Sequence, residues 1–418
     1  MSKNNELRTK RQRGIVGRWL NNNGVGTLEA ATGFGKTRVG LLCIKNWRKR
    51  TKTKGRVLIV NPSEFLRDQW LEELKEYDLL ELSESNIINS IIKGEFETDL
   101  LVLDEIHRYT AKKFGEVFKR VKYTSILGLT ALIEGKERKR IINTYAPVID
   151  RVLLEECRLN KWVSDFDVYN LGLDISDHTK DEYNKITYQF NNTFSFFEHN
   201  FNLAMACLKG NSEASEHAKK VSLERGQVIG IARKWMNYMT IRKEMLYGCP
   251  EKIKACVDIY RKFEDKQIIT FSQKTDTADL IRDAINKTFG KDRAVAYHTG
   301  IKGKQIIIDG KKYKHRDGLV EYFKRDEYPH NLLATAKALD EGANIPHINL
   351  GIITDGTSTK RQNIQRWGRT LRYIEGEETI IIELYIKDTK DEDWLRDRQE
   401  GIPRKLITYI DSLDEIEV

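Results

Sequence analysis

The chain has 418 residues, 40% hydrophobic and 32% charged, which is too long for one ordinary core and suits two to three folded domains. No run approaches the ~18 apolar residues that a membrane span needs, and the polar start "MSKNNELRTKRQRG" lacks the apolar stretch of a secretory signal, so a cytoplasmic protein is expected. The net charge of +9 favours a polyanionic partner, while five scattered cysteines with no C-x-x-C pair argue against both a disulfide framework and a zinc site.

Elements in chain order suggest four segments. In residues 1–155, "RVLIVNP" (Arg56–Pro62), "DLLVLDE" (Asp99–Glu105) and "SILGLT" (Ser125–Thr130) are short, aliphatic and end in polar or turn residues. They are predicted to be buried parallel strands, and the amphipathic run Glu64–Tyr77 between two of them is predicted to be a helix. This alternation defines an α/β domain. Residues 156–255 are expected to form a linker and a mostly helical insertion, with aromatic residues and a basic second half. In residues 256–390, "KQIITFSQ", "RAVAYHTG", "NLLATAKA", "INLGIITDG" and "ETIIIELYI" predict a second parallel sheet, and Asp309-Gly310 a hairpin turn. Residues 391–418 are expected to form a helical tail that ends acidic.

Chemistry concentrates in two stretches of the first domain. "EAATGFGKTR" (Glu29–Arg38) follows a short apolar run and ends in Gly-Lys-Thr. Gly33 and Gly35 let the backbone curl so that its N–H groups face phosphate oxygens, and the following helix adds its positive end. Lys36 supplies a charge for the β- and γ-phosphates, and the Thr37 hydroxyl suits Mg²⁺. The pattern's first glycine is replaced by Ala30. Downstream, "LLVLDEIH" delivers Asp104 and Glu105 to the carboxyl end of a strand, where a Mg²⁺-holding Asp and a water-activating Glu belong in such sheets.

With these two stretches, the chain resembles the superfamily 2 DNA helicases of the Asp-Glu-x-His type. Further stretches follow in the family's order. "VLIVNPSEFLRDQW" carries Ser63, and "LGLTAL" (Leu127–Leu132) stands where a Ser/Thr-Ala-Thr motif links ATP state to domain movement. "IITFSQ" and "AVAYHTG" open the second motor domain, "ATAKALDEGANIP" (Ala334–Pro346) is similar to motif V and "RQNIQRWGRTLR" (Arg361–Arg372) to motif VI. The resemblance covers about three-quarters of the chain and implies two RecA-like parallel-sheet domains in tandem, a P-loop NTPase with a mostly helical insertion. It implies ATP and Mg²⁺ as cofactors, with Thr37 and Asp104 as the Mg²⁺ ligands. Gln12, Thr32, Gly33, Phe34, Gly35, Lys36, Thr37, Asp104 and Gln365 would bind the nucleotide, and Lys36, Glu105, Arg369 and Arg372 would be catalytic. Gln365, Arg366, Arg369 and Arg372 recur at helical spacing, so several can share one face, with Arg369 and Arg372 as arginine fingers reaching across the cleft. His107 and Thr130 are implied to couple ATP state to movement, and Ser63, Ser272 and Thr335 to meet nucleic acid. The chain departs from the family at Arg11 (where an aromatic often precedes the adenine-reading glutamine), at Leu132 and at Asn344.

The implied function is an ATP-dependent helicase or translocase on forked or branched DNA in replication, recombination or repair. A monomeric motor of phage or prokaryotic type, with no membrane partner, is expected. RNA as the substrate, or a nucleic-acid-binding protein with a degenerate motor, are the alternatives. In the insertion, Arg233, Lys234, Trp235, Tyr238 and Arg242 either wedge a duplex apart or pack the insertion's own core.

Overall fold

The structure, a computed structural model, describes residues 3–51, 55–325, 329–336, 348–356, 379–400, 402 and 404–417. Its first eight strands are β1 (Val25–Ala30), β2 (Val57–Asn61), β3 (Ser83–Ile87), β4 (Phe96–Glu97), β5 (Leu100–Asp104), β6 (Val121–Lys122), β7 (Ser125–Thr130) and β8 (Val148–Val152). Six of them form one sheet in the order β3-β2-β5-β7-β1-β8, while β4 and β6 make a small separate pair. Every ladder in the six-stranded sheet is parallel.

Side-chain alternation explains why these strands read as unbroken apolar runs. Val57 and Ile59 of β2 face one core with Leu100 and Val102 of β5, whereas Leu58 and Val60 face a second core with Leu101 and Leu103. Helices cover both faces, so neither set of side chains reaches water. The N-terminal helix Lys3–Asn21 and the helix Lys36–Thr51 close the first face through Ile15, Trp19, Val39, Ile44 and Trp47. The helix Lys136–Tyr145 and a short helical stretch at Ile106–Thr110 close the other through Ile142 and Tyr109.

The second sheet contains β9 (Phe166–Leu173), β10 (Ile268–Ser272), β11 (Ala294–Tyr297), β14 (Leu332–Ala336), β15 (Leu350–Ile353), β16 (Thr379–Ile386) and β17 (Ile407–Ile410). Their order is β11-β14-β10-β15-β16-β9-β17, again all parallel. Between β11 and β14, the strands β12 (Ile306–Ile308) and β13 (Lys311–Tyr313) form the hairpin expected at Asp309-Gly310. The fold is thus two RecA-like parallel sheets in tandem.

Two elements differ from the sequence expectation. β9 lies at the start of the segment expected to be helical and joins the second sheet between β16 and β17. The tail is also not all helix, because after the helix Lys390–Arg398 the chain adds β17 to the edge of that sheet. One reciprocal pair holds this edge in place: Asn170 of β9 and Gln399 after the tail helix exchange amide hydrogen bonds of 2.9 and 2.8 Å inside the core. Asn170 interrupts the apolar pattern of β9 at a fully buried position, and β17 is only four residues long. Neither strand therefore carried a clear period.

Between β9 and β10 the chain forms the helices Asp177–Ser195, Phe201–Leu208, Ser212–Lys220, Arg225–Leu246 and Pro250–Lys262. The first four share a core of Phe190, Phe197, Ala232 and Trp235. All five cysteines are buried free thiols. Among the described residues no helix is long and apolar enough to cross a membrane, and no His, Cys, Asp or Glu group has metal-binding geometry.

Candidate active site

The candidate site begins where β1 ends. Ala30 is fully buried as the last residue of that strand, and it is not among the residues with positive φ. A methyl group is therefore tolerated where the phosphate-loop pattern has glycine. The two retained glycines need their conformations: Gly33 has φ +88° and Gly35 φ +90°. A Cβ on Gly33 would lie 2.7 Å from Val163 Cγ1, and one on Gly35 would lie 3.0 Å from Gln12 Nε2. The helix Lys36–Thr51 starts directly after this loop.

Support for the loop comes from below. The Phe34 carbonyl accepts hydrogen bonds from Gln12 Nε2 at 2.9 Å and from Arg8 Nε at 3.0 Å, and Arg8 also donates to the Gly33 carbonyl. The Phe34 ring is fully buried against Trp162, with centroids 5.4 Å apart, so this side chain anchors the loop and leaves its backbone to face a ligand. Gln12 Oε1 is buried without a partner. A glycine cradle that a Cβ would disturb, plus an orphaned acceptor beside it, fits a bound nucleotide. Lys36 Nζ lies 3.3 Å from the Ala30 carbonyl, and Thr32 and Thr37 are half-buried in the same turn.

The carboxylates sit two strands away. Because β7 lies between β5 and β1, the ends of all three strands share one edge of the sheet. Asp104 ends β5, and both its oxygens are engaged: Oδ2 accepts from Trp70 Nε1 at 3.1 Å and Oδ1 from the Glu105 backbone N–H at 3.0 Å. Glu105 itself adopts a left-handed backbone with φ +52°, which turns its side chain out of the strand line. Its Oε2 is 3.2 Å from His107 Nδ1 and 3.4 Å from Thr130 Oγ1, and these two lie 2.8 Å from each other. With a proton on Nδ1, His107 donates into this triangle.

The two acids are held differently. Burial, together with the neighbouring charge of Glu105, pushes Asp104 above the usual carboxylate range against the Trp70 hydrogen bond and Lys36. Burial would also raise Glu105, but the His107 hydrogen bond and the positive charge of Lys36 outweigh it and hold this carboxyl low. Glu105 is accordingly the more acidic of the two and stays ionised at neutral pH. Mg²⁺ takes oxygen ligands, and the Asp104 carboxylate stands at the same sheet edge as the loop that carries the Thr37 hydroxyl, so the residues present fit this ion.

One functional candidate escaped the sequence reading. Glu29, the penultimate residue of β1, accepts from the Ile133 backbone N–H at 2.8 Å and from Arg151 Nε at 2.8 Å. It ties the phosphate-loop strand both to the segment after Thr130 and to β8. An acidic residue inside a buried strand was the available signal.

The structure brings Gln12, Thr32, Gly33, Phe34, Gly35, Lys36 and Thr37 together in the loop region and Asp104, Glu105, His107 and Thr130 at the carboxylate end. Ser63 caps the helix Glu64–Glu76, accepting from the Leu66 N–H at 3.4 Å. Ser272 and Thr335 stand at the carboxyl ends of adjacent strands, but their hydroxyls face inward. Ser272 donates to the Thr335 carbonyl at 2.9 Å, and Thr335 to the Thr270 carbonyl at 2.6 Å. Expected as nucleic-acid contacts, both instead spend their hydroxyls on joining β10 to β14. In the insertion, Trp235 is fully buried and stacks near Phe194, while the Arg242 guanidinium covers the Phe190 ring at 4.0 Å. These two build the insertion's core and are not free to wedge a duplex. Gln365, Arg366, Arg369, Arg372 and Asn344 lie outside the described residues.

Known proteins show the same layout. Residues 5–99 match the family described as type III restriction enzyme, res subunit, and residues 251–374 match the helicase conserved C-terminal domain. The chain is 25% identical over 393 residues to the DNA 3'-5' translocase XPB2 of Sulfurisphaera tokodaii, covering 90% of this chain and 81% of that protein. It is also 25% identical over 464 residues to the putative ATP-dependent RNA helicase MJ1505 of Methanocaldococcus jannaschii, covering 88% of this chain and 56% of that one, little more than half its length. Among solved structures, the Hef helicase domain of Pyrococcus furiosus aligns with TM-score 0.54 at 16% identity, covering 93% of this chain and 98% of that one. S. cerevisiae Dbp5 bound to RNA and ADP BeF3 aligns with TM-score 0.60 at 13% identity, covering 96% and 89%. These structural likenesses bear on fold alone. The matched helicase domains and the translocase relative support a nucleic-acid-dependent ATPase, with a candidate phosphate loop and carboxylate pair on the first of two tandem RecA-like sheets. With its two matched helicase-type domains and this relative, the chain is similar to the superfamily 2 helicases.

Proposed function

We propose that this protein is an ATP-dependent DNA translocase that can separate strands, of the Asp-Glu-x-His type, acting on forked or branched DNA in replication, recombination or repair. The observation that carries the reading is the triangle of Glu105, His107 and Thr130 at the sheet edge shared with the phosphate loop. In it Glu105 is ionised and backed by a histidine, as a base for an attacking water requires. Gln12 would offer its buried Oε1 to the adenine amine, and the loop N–H groups with Lys36 would hold the phosphates. Mg²⁺, held by Thr37 and Asp104, would neutralise charge developing on the phosphates. Arg369 and Arg372, in their motif of the second domain, are assigned to the far side of the γ-phosphate, with Gln365 beside them. Thr130 and His107 would then report the state of that phosphate to the segment that Glu29 holds.

DNA is favoured over RNA by the Asp-Glu-Ile-His sequence and by the relative named a DNA translocase, which this chain covers over most of its length. RNA is kept as the second reading because another relative is named a putative RNA helicase. ATP turnover measured on single-stranded DNA, duplex, fork, four-way junction and RNA, with unwinding followed alongside, decides between them. Stimulation by forked or branched DNA above the others is the expected outcome. Stimulation by RNA alone would reverse the substrate assignment, and turnover unaffected by Lys36→Ala would end the motor reading.

A further inference from the structure

The connection from β11 to the next helix, His315–Phe323, runs through residues 298–314. Crossovers in such folds usually take about 2–6 residues on this side of the sheet, and longer excursions tend to carry function. Here the added length is an ordered antiparallel ribbon, with Ile306 opposite Tyr313, Ile307 opposite Lys312 and Ile308 opposite Lys311. Its two faces differ. Ile308 is buried, and Ile306 packs so closely on the helix that a Cβ at Gly318 would lie 2.6 Å from Ile306 Cβ. Ile307 points the other way and is 61% exposed, paired in register with an exposed Lys312.

Around this ribbon the chain places Lys302, Lys304, Lys311, Lys312 and Lys314, all exposed; Lys312 shares the outward face of Ile307, while Lys311, opposite Ile308, reaches over the Tyr313 ring at 5.1 Å. The nearby carboxylates are committed elsewhere: Asp309 bonds Arg325, and Asp317 lies 3.8 Å from Arg316. The result is a concentrated positive charge with an apolar side chain at its centre. Such a surface suits a polyanion that also has apolar faces, and among macromolecules nucleic acid offers phosphates beside base planes.

Position supports the same occupant. Tyr297, the last residue of β11, is in register with Thr335 of β14, which is in register with Phe271 of β10. With strands about 4.8 Å apart, the root of the ribbon lies about 10 Å from the end of β10, on the carboxyl edge of the sheet where ligands bind in α/β folds. We propose that the β12–β13 hairpin is a nucleic-acid grip of the second domain, its lysines on phosphates and Ile307 against a base. The proposal rests on the reading of the chain as a nucleic-acid motor.

The test uses the full chain and a fluorescent DNA duplex with a single-stranded tail, titrated from about 50 to about 200 mM salt. Lys311→Ala combined with Lys312→Ala is expected to weaken binding about tenfold and to reduce the slope of log affinity against log salt by about 2, whereas the double arginine variant retains both. Ile307→Ser, on the face of Lys312 but uncharged, is expected to weaken binding severalfold with the slope unchanged. Melting curves show that each variant is folded. If the wild type binds DNA and its ATP turnover rises with DNA while both variants keep wild-type affinity and slope, the hairpin assignment alone is overturned. If the wild type neither binds nor responds, the motor reading fails and this proposal with it.

Discussion

The indole N–H of Trp70 donates to Oδ2 of Asp104 over 3.1 Å, so a residue on the helix capped by Ser63 fixes the orientation of the candidate Mg²⁺ carboxylate. The same ring limits the helix that follows the phosphate loop, because a Cβ at Gly40 would lie 2.6 Å from Trp70 Cη2. From its own helix, one side chain therefore touches two other parts of the first domain. Replacing it with Phe keeps most of the packing but leaves a buried carboxylate oxygen short of a donor, at a cost of about 1–3 kcal/mol. Trp70→Phe is expected to raise the Mg²⁺ concentration needed for half-maximal ATP turnover severalfold, which a Mg²⁺ titration at saturating ATP measures. An unchanged midpoint would show that Trp70 only packs.

Glu105→Gln keeps size and hydrogen-bonding capacity while removing the base. ATP hydrolysis is expected to fall about 10²- to 10⁴-fold, with nucleotide binding retained. Equilibrium binding of a fluorescent ATP analogue, measured beside turnover, separates the two effects. Equal loss of both would place Glu105 in binding instead of chemistry.

The phosphate loop predicts a backbone effect. Gly33→Ala forces a left-handed conformation at about 1–2 kcal/mol and drives a methyl toward Val163. Lower thermal stability and weaker nucleotide binding are expected together. Gly135→Ala makes a useful control: it also has positive φ but nothing within 4 Å, so it should cost stability alone.

How much of this was legible beforehand follows from the range of each signal. The phosphate loop, Asp104-Glu105 and the strands around them were readable because their chemistry is contiguous: a strand and the residues at its end lie within about ten positions. β9 was missed because Asn170 breaks its apolar run, and its partner Gln399 is 229 residues away. Glu29, Trp70 and Arg8 act on backbone or carboxylate groups that only folding brings near. Ser272 and Thr335 were expected to meet nucleic acid, yet sequence carries no sign of which way a hydroxyl points. Nothing in their spacing said that both would close on β-sheet carbonyls.

Glu29 offers a test of coupling separate from chemistry. Its carboxylate bridges the Ile133 N–H and Arg151, neither of which is expected to contact phosphate. Glu29→Gln still accepts from Ile133 but loses the charge that holds Arg151; Glu29→Ala loses both. A graded loss of DNA-stimulated over unstimulated turnover, alanine worse than glutamine, is the expected pattern in steady-state ATPase assays. Parallel loss of both rates would indicate a purely structural brace.

Acid should loosen the hold of the sheet on the N-terminal helix. Asp150 of β8 receives Arg11 at 2.8 Å and also pairs with Arg18, which joins the helix carrying Gln12 to the sheet. Burial opposes ionisation of this carboxyl, but the hydrogen bonds from Arg11 and Arg18 outweigh burial and hold its pKa below the ordinary value of 3.8. The folded state therefore binds this proton less readily than the unfolded chain. The stabilisation is fully present above about pH 4 to 5 and is lost as pH falls through the lowered folded value. Asp150→Asn should accordingly melt below the wild type at pH 7, with the difference shrinking as the pH drops toward 3. Hydrogen exchange in residues 3–21 should rise in the variant at neutral pH. A gap in melting temperature that stayed constant down to pH 3 would mean that the aspartate contributes through shape and not through its charge.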